Sequence, residues 1–197
     1  MPKKIDIMVD LETLGTKPGS VILSIGVVAF DRITGKVLDE FHSILSQTDQ
    51  AALGMTVDVN TLEWWSQQSE EAQKLLEEAS QDTAPRANTV LHDLERFVNR
   101  ATSGRELQAV WAQGQDFDFS LLAELYRRSF KFSGLSDELP WPFWLHRDTR
   151  TAYDVCGFQT NTIPREGVHH DALSDCYHQV KCLTAALAKR ANQRARK

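Results

Sequence analysis

Residues 5–12 alternate apolar and polar side chains with the two-residue period of a β-strand. The apolar positions are Ile5, Ile7, Val9 and Leu11, and the acidic positions between them are Asp6, Asp10 and Glu12. Because successive side chains of a strand point to opposite faces, we predict a strand that carries Asp10 and Glu12 on one face. A β-branched, apolar segment from Val21 to Phe30 predicts a central strand beside it, and Val37–Leu45 predicts a third.

Further along the chain the apolar period changes to that of a helix. We predict helices over Thr61–Ala79 (with Thr61 as N-cap), Asn88–Ala101, Phe119–Phe130 and Asp171–Ala195, a strand over Leu107–Trp111 and a loop over Ser133–Phe143. Strands first and helices mostly later indicate one α/β domain with a mixed sheet, spanning residues 1–197.

Composition excludes several classes of protein. The chain has 197 residues, of which 42% are hydrophobic and 25% charged, as in ordinary globular domains. Its purely apolar runs fall far short of the ~20 residues that span a bilayer, so we predict no membrane segment. The three cysteines, an odd number without a signal peptide before them, indicate reduced thiols and a cytoplasmic location.

The net charge of −5 is unevenly distributed, because residues 189–197 contain five basic side chains and no acid. The rest of the chain is strongly acidic and does not attract a polyanion by bulk charge. A nucleic-acid partner therefore requires a bound cation or a local basic patch. We interpret the basic C-terminal helix end as a solvated helix end in preference to a nucleic-acid contact.

Three short acidic groups carry the candidate chemistry. The first is the pair Asp10 and Glu12, and the second is Asp118 in the first turn of a predicted helix, with Asp116 nearby as a competitor. The third is His170 with Asp175 five residues on, with His169 as an alternative histidine. Each group alone also fits a solvated sheet edge or a capped helix N-terminus. Together, four carboxylates and a histidine fit two divalent cations, a general base and phosphodiester hydrolysis.

The same residues resemble the motifs of the DEDDh 3′→5′ exonucleases of the ribonuclease H-like superfamily. The matching segments, which span residues 5 to about 185, are Val9-Asp10-Leu11-Glu12-Thr13-Leu14-Gly15, Gly114-Gln115-Asp116-Phe117-Asp118 and His170-Asp171-Ala172-Leu173-Ser174-Asp175. The segments Asn60–Trp65 and Arg147–Thr151 are most similar to the ribonuclease T-like branch of bacteria and phages, whose members are exoribonucleases. The resemblance implies a three-layer fold in which helices flank a central mixed sheet.

The resemblance also implies roles for individual residues. Asp10, Glu12, Asp118 and Asp175 would bind two Mg²⁺ or Mn²⁺ ions. His170 would activate the attacking water, Glu12 would help to orient it, and a nucleoside 5′-monophosphate would leave from a 3′ end. The backbone near Thr13 and the side chain of Leu14 would pack against the terminal nucleotide, and a homodimer is implied.

Adjacent residues on a helix point about 100° apart, so Trp64 and Trp65 cannot both face one core. We expect one of them in the core and the other stacked on a base, and the alternative is that both pack on the sheet.

Several other functions remain open from the sequence. The branch resemblance favours single-stranded RNA as substrate, and single-stranded DNA or 3′ overhangs are the alternative, since two-metal chemistry does not need the 2′-hydroxyl. A module that binds 3′ ends without cutting, or a proofreading partner of a polymerase, is a further reading. His178 and Cys182 lie four residues apart and are the one hint of a structural zinc site, which needs four convergent ligands.

Overall fold

The chain forms a five-stranded sheet with helices on both faces, in a computed structural model that describes residues 3–131, 136–167 and 169–195. The strands are β1 (Lys4–Thr13), β2 (Ile22–Phe30), β3 (Val37–Ile44), β4 (Glu106–Ala112) and β5 (His146–Asp148). The α-helices are α1 (Gln47–Ala52), α2 (Val59–Ser66), α3 (Glu70–Ser80), α4 (Ala87–Thr102), α5 (Gln115–Phe130), α6 (Thr149–Cys156) and α7 (Ala172–Ala195). Short 3₁₀ helices cover Phe143–Leu145 and Thr160–Thr162.

The sheet is mixed, with the strand order β3-β2-β1-β4-β5. Strands β1, β2 and β3 are antiparallel neighbours, and β4 and β5 run parallel to β1 and to each other. Strand β1 is therefore central, with Asp10 opposite Gly26 and Glu12 opposite Ser24 of β2. The predicted α/β fold with a mixed central sheet is confirmed.

The alternation of β1 separates two apolar clusters, one on each face of the sheet. Ile7 and Val9 pack in the cluster that includes Leu94 of α4 and Leu121 of α5. Met8 packs in the second cluster, which includes Val180 and residues of α6 and α7. Asp10 lies on the second face, because Gln179 of α7 donates a hydrogen bond from Nε2 to Asp10 Oδ1 at 2.7 Å. The acidic face of β1 is thus the face covered by α7.

The helix predicted over Thr61–Ala79 is two helices, α2 and α3. The N-cap of α2 is Asp58 and not Thr61, because Asp58 Oδ1 accepts from the backbone nitrogens of Asn60 at 2.8 Å and Thr61 at 3.2 Å. The hydroxyl of Ser69 caps α3 in the same way through the backbone nitrogen of Ala72. Two side-chain caps close together favour two short helices over a continuous one.

Helices α1 and α6 and strand β5 were not predicted. Each has between three and eight residues, which is too short for a clear apolar period. Asp148 caps α6 by accepting from the backbone nitrogen of Thr151 at 2.7 Å. Within the predicted loop, residues 133–135 lie outside the described part, and its end at Phe143 begins a 3₁₀ helix.

Part of the basic C-terminal segment is structural. Lys189 and Arg190 donate hydrogen bonds to the carbonyl oxygens of Gly157 and Val155, at the C-terminal end of α6. Cations at this end of a helix also interact favourably with its dipole. Arg196 and Lys197 lie outside the described residues. Among the described helices, none combines the length and apolar character that crossing a membrane requires.

Candidate active site

The five residues singled out by the sequence motifs line one cleft. Its volume is about 380 Å³, and its acidic and histidine lining consists of Asp10, Glu12, Asp118, His170, Asp175 and His178. Strand β1 supplies the first two carboxylates, and the first turns of α5 and α7 supply Asp118 and Asp175. The sheet and two helix N-termini therefore bring together groups that are far apart along the chain.

Local backbone features set the direction of the two helix starts. Gly114, with a φ of 102°, turns the chain from β4 into α5. Asp148 Oδ2 accepts hydrogen bonds from the backbone nitrogens of Gly114 at 2.8 Å and Gln115 at 3.3 Å, and so ties the start of α5 to the start of α6. Asp148 belongs to the segment Arg147–Thr151 that the sequence singled out, and the structure gives it this positioning role for the turn before Asp118.

His170 adopts a left-handed backbone conformation, with a φ of 60°, in the segment that leads into α7. Among the residues that the structure describes, it is the one non-glycine residue with a positive φ. Such a conformation costs of order 1–3 kcal/mol in a non-glycine residue and is found preferentially at functional sites. The imidazole of His170 lines the cleft, whereas His169 is exposed and does not line it.

The carboxylates of the cleft are held where their ionised forms are unfavourable. Burial, reinforced by the charges of Asp118 and Glu12, raises the pKa of Asp10 well above its ordinary value. Burial and the charges of Asp171 and Asp118 raise the pKa of Glu12 to about 8, and burial raises that of Asp118 to about 7. Carboxylates that repel one another in this way ionise readily only beside cations.

The donor atoms fit a divalent cation. One oxygen of Glu12, one nitrogen of His170 and one oxygen of Asp175 lie within 4.8 Å of one another, and this is the group of three such ligands found among the described residues. Asp10 and Asp118 line the same cleft. A site rich in carboxylate oxygens suits hard cations such as Mg²⁺ and Mn²⁺.

His170 has the properties of a proton acceptor. Partial burial and the neighbouring charges of Arg165 and His169 lower its pKa below the ordinary value, which favours the neutral imidazole. Its ring packs edge-on against Trp64, with ring centroids 4.7 Å apart. A neutral, oriented imidazole beside carboxylates can accept a proton from water.

The two tryptophans of α2 have different environments, as the helical period predicted. Trp65 is 1% exposed, and its indole Nε1 donates to the carbonyl oxygen of Thr13 at 2.9 Å. Trp64 is 41% exposed and contacts His170. Trp64 is therefore the one with a face available to a base, and Trp65 is the core residue of the pair and offers no face to substrate.

The expected contact between the Leu14 side chain and a terminal nucleotide is not supported. Leu14 is 1% exposed and packs within the apolar cluster, so its side chain offers no surface to a ligand. Thr13 is also buried, and its hydroxyl donates to the carbonyl oxygen of Gly15 at 2.8 Å.

Comparison with known proteins decides the family. A family profile described as the 3′-5′ exoribonuclease Rv2179c-like domain matches residues 5–187. The chain belongs to this family.

Relatives and structural neighbours of this 3′-5′ exonuclease agree with that assignment. The exodeoxyribonuclease of Enterobacteria phage T4 is 26% identical over 204 residues, covering 92% of this chain and 88% of the phage protein. The nuclease domain of 3′hExo, a DEDDh family member bound to rAMP, superimposes with a TM-score of 0.59 at 13% identity, covering 93% of this chain and 92% of the domain. E. coli exonuclease I bound to a dT13 oligonucleotide gives a TM-score of 0.61 at 13% identity, with 98% of this chain matching 42% of that protein.

These findings confirm the predicted 3′→5′ exonuclease family and its hydrolase activity. They also confirm the ribonuclease H-like fold, which the DEDDh neighbours share. The family description names RNA, whereas the name of the phage relative refers to DNA.

The structure does not support two alternatives from the sequence analysis, the competing acid Asp116 and a zinc site at His178 and Cys182. Asp116 is exposed, accepts a hydrogen bond from Gln115 Nε2 at 3.0 Å and does not line the exonuclease cleft. His178 Nε2 lies 3.5 Å from Cys182 Sγ, but the pair belongs to no group of three metal-ligand side chains among the described residues. The pair therefore lacks the four ligands of a structural zinc site.

Gln179 and Arg165 line the exonuclease cleft but were not singled out by the sequence analysis, and Arg150 was included there only within the segment Arg147–Thr151. Gln179 lies four residues after Asp175 on the same face of α7, so helical periodicity contained the signal. Arg150 and Arg165 lie at the start of α6 and in the connection between α6 and α7, where no periodic pattern identifies them.

Proposed function

We propose that this protein removes nucleotides one at a time from the 3′ end of single-stranded RNA, using two divalent cations and releasing nucleoside 5′-monophosphates. The observation that carries the proposal is the convergence of Asp10, Glu12, Asp118, Asp175 and His170 in one cleft of a 3′-5′ exonuclease family member. We assign Mg²⁺ or Mn²⁺ to the site, because its donors are carboxylate oxygens and one imidazole. When bound, the cations stabilise the developing negative charge and favour ionisation of the attacking water.

The side chains of the cleft have separate roles in this proposal. Asp10, Glu12, Asp118 and Asp175 hold the cations, and the Gln179 amide fixes the orientation of Asp10. His170 accepts the proton of the attacking water, which Glu12 helps to orient. The water oxygen attacks phosphorus, the bond from phosphorus to the 3′ oxygen of the preceding nucleotide breaks, and the terminal nucleotide leaves with its 5′ phosphate.

Trp64 supplies the contact to the base in this proposal. Its half-exposed indole lies beside His170, so a base stacked on it holds the terminal nucleotide next to the proton acceptor. Stacking on an aromatic side chain tolerates every base, which suits an enzyme that degrades strands of any sequence. Thr13 contributes through its backbone, because its side chain is buried.

A second candidate substrate is single-stranded DNA or a DNA 3′ overhang. It is favoured by the phage exodeoxyribonuclease, which aligns with 92% of this chain. The chemistry at phosphorus is the same for both sugars, so the choice depends on contacts with the 2′-hydroxyl.

The experiment is a time course on 5′-labelled single strands of RNA and DNA with matched sequence, with Mg²⁺, with Mn²⁺ and with chelator. We expect a metal-dependent ladder that shortens from the 3′ end, faster on RNA. Asp10→Ala is the control, since it removes a metal ligand and relieves repulsion within the cleft. Intact strands in every lane would refute the proposal and leave a module that binds 3′ ends. Equal activity in a folded Asp10→Ala variant would refute the assignment of Asp10 as a metal ligand.

We also propose that the enzyme acts as a homodimer, as the resemblance implies. Light scattering on the purified protein gives its mass directly. A mass of one chain, 22.3 kDa, at micromolar concentration would contradict the dimer without affecting the proposed chemistry.

A further inference from the structure

A guanidinium group reaches into the carboxylate cleft from the connection between α6 and α7. Arg165 lines the cleft and forms an ion pair with Oδ1 of Asp175. Its charge also lowers the pKa values of Asp10 and Glu12, against the larger effect of burial. Arg165 is thus a positive charge at the carboxylates that the proposed function assigns to divalent cations.

The backbone around Arg165 is fastened to α7. Gly167 has a φ of 89°, and a Cβ atom there would lie 2.8 Å from Oγ of Ser174, so the segment runs close against the helix. Glu166 accepts a hydrogen bond from Nζ of Lys181 at 2.6 Å. The Arg165 side chain itself is 29% exposed and is held on the cleft side by Asp175. A change of partner therefore requires motion of this side chain alone.

The charges of the cleft leave Arg165 without a partner once Asp175 binds a cation. The cleft has four carboxylates, and the charges of two divalent cations balance theirs. The negative charge of an incoming phosphodiester then still needs a positive partner. Two guanidinium groups line the cleft, those of Arg150 and Arg165. Arg150 lies against the backbone of Gly114, next to α5. Arg165 is the one that gives up a carboxylate when a cation takes Asp175, and its guanidinium is then available to another anion.

We propose that Arg165 exchanges partners during the reaction, leaving Asp175 and donating hydrogen bonds to the non-bridging oxygens of the phosphodiester that is cut. This inference rests on the proposed function and adds a phosphate-binding residue to it. The planar guanidinium fork matches two phosphate oxygens, and such a contact strengthens as negative charge develops on them. The exchange also links substrate binding to cation binding, because the same side chain competes with the cation for Asp175.

The test compares Arg165→Ala, Arg165→Lys and the wild type in two measurements. The first is kcat/KM for 3′-end removal from labelled single strands. The second is Mn²⁺ affinity by titration calorimetry without nucleic acid. Arg96→Ala is the matched control, since Arg96 is exposed on α4, is paired with Asp93 and lies far from the cleft on the opposite face of the sheet.

We expect opposite effects in the two measurements. Arg165→Ala lowers kcat/KM by about 10²–10³-fold, the usual effect of removing one donor to a developing oxyanion. The same variant binds Mn²⁺ about two- to fivefold more tightly, because the competing ion pair is gone. Arg165→Lys keeps the positive charge but lacks the two parallel donors of the guanidinium group. Its kcat/KM therefore falls less than that of Arg165→Ala, and its Mn²⁺ affinity stays near that of the wild type. Arg96→Ala matches the wild type in both.

Three results would overturn the proposal. Unchanged kcat/KM in Arg165→Ala, whatever its Mn²⁺ affinity, would make Arg165 a counterion only. Weaker Mn²⁺ binding together with slower cutting would make it a support of the cation site. Loss of activity in Arg165→Ala with full activity and wild-type Mn²⁺ affinity in Arg165→Lys would assign the effect to charge alone. An inactive wild-type protein would instead refute the proposed function, so the two failures are distinguishable.

Discussion

Gly26 of β2 packs directly against the backbone of Ala172, the first residue of α7. A Cβ atom at Gly26 would overlap the carbonyl group of Ala172 and lie 2.6 Å from the backbone nitrogen of Leu173. The pairing of Asp10 with Gly26 places this contact next to the carboxylate cleft. The absence of a side chain at Gly26 therefore sets the distance between the sheet, which carries Asp10 and Glu12, and the helix that carries Asp175.

Gly26→Ala is expected to separate α7 from the sheet. Overpacking of this kind costs about 1–3 kcal/mol, and the displaced Asp175 should lower exonuclease activity more than the stability loss explains. Thermal unfolding and the rate of 3′-end removal measure the two effects. Gly104→Ala adds the same methyl group in open space at a φ of 69°, so it should cost about 1–2 kcal/mol and leave activity intact. Wild-type activity in Gly26→Ala would show that α7 does not need this contact.

The metal-free protein is expected to lose stability as pH rises from 6.5 to about 8. In this interval unfolded Glu12 and Asp118 are ionised, whereas the folded protein retains protons on them, since their pKa values are about 8 and about 7. Unfolding then releases protons, so the free energy of unfolding falls with rising pH. Burial lowers the pKa values of His146, His170 and His178 in the folded state, so these groups oppose the trend near pH 6.5, where the unfolded imidazoles still bind protons, and their effect fades towards pH 8.

Melting temperatures in chelator across this interval test the effect. Saturating Mg²⁺ should remove the pH dependence, because bound cations favour the ionised carboxylates. In chelator and without Mg²⁺, Glu12→Gln should reduce the dependence of the melting temperature on pH. A melting temperature that is constant or rises between pH 7 and 8 in chelator would contradict the raised pKa values of Glu12 and Asp118.

Replacing Trp64 by alanine is expected to affect substrate binding, and replacing Trp65 by alanine is expected to affect stability. Trp64→Ala should weaken binding of single strands by about five- to 150-fold, the equivalent of one base–aromatic stack, with little change in stability. Trp65→Ala should cost about 3–5 kcal/mol of stability, because it empties a core position and removes the hydrogen bond to Thr13. Fluorescence anisotropy with a labelled strand in Ca²⁺ and thermal unfolding separate the two effects. Equal effects of both variants on binding and stability would contradict the division of roles.

His170→Asn and His169→Asn form a matched pair for the proton acceptor. Asparagine tolerates the left-handed backbone at residue 170, so the fold should be kept in both variants. His170→Asn should reduce kcat by about 10²–10⁴-fold, the usual contribution of a general base. His169→Asn should remain within severalfold of wild type. Single-turnover rates at saturating Mg²⁺ provide the comparison, and the reverse order of activities would transfer the role to His169.

The sequence predicted the parts of the fold that have long apolar periods. Strand β1 and helix α4 were placed to within about one residue, because a strand or an amphipathic helix of this length repeats its pattern several times. The break between α2 and α3 was missed, since it depends on which of several polar side chains caps a helix, and Asp58 and Ser69 are identified only by their hydrogen bonds.

The candidate site was likewise predicted in part, where the sequence pattern determines the position of a side chain. Asp10, Glu12, Asp118 and Asp175 were predicted because motif spacing places each on a particular face or in a particular turn, and the structure brings them to one cleft. Arg165 was not predicted, because its position depends on the path of the irregular connection between α6 and α7. The burial of Leu14 and Trp65 was also unreadable, since apolar side chains next to a site can face either the ligand or the core.

Helix α7 is the last described element of the chain, and with the segment that leads into it, it brings Asp175 and His170 to carboxylates supplied by the first strand. Translation proceeds from β1 towards α7, so a chain still growing on the ribosome has Asp10 and Glu12 long before their partners exist. A carboxylate cleft divided between the first strand and the last described helix therefore cannot form before that helix has docked on the sheet.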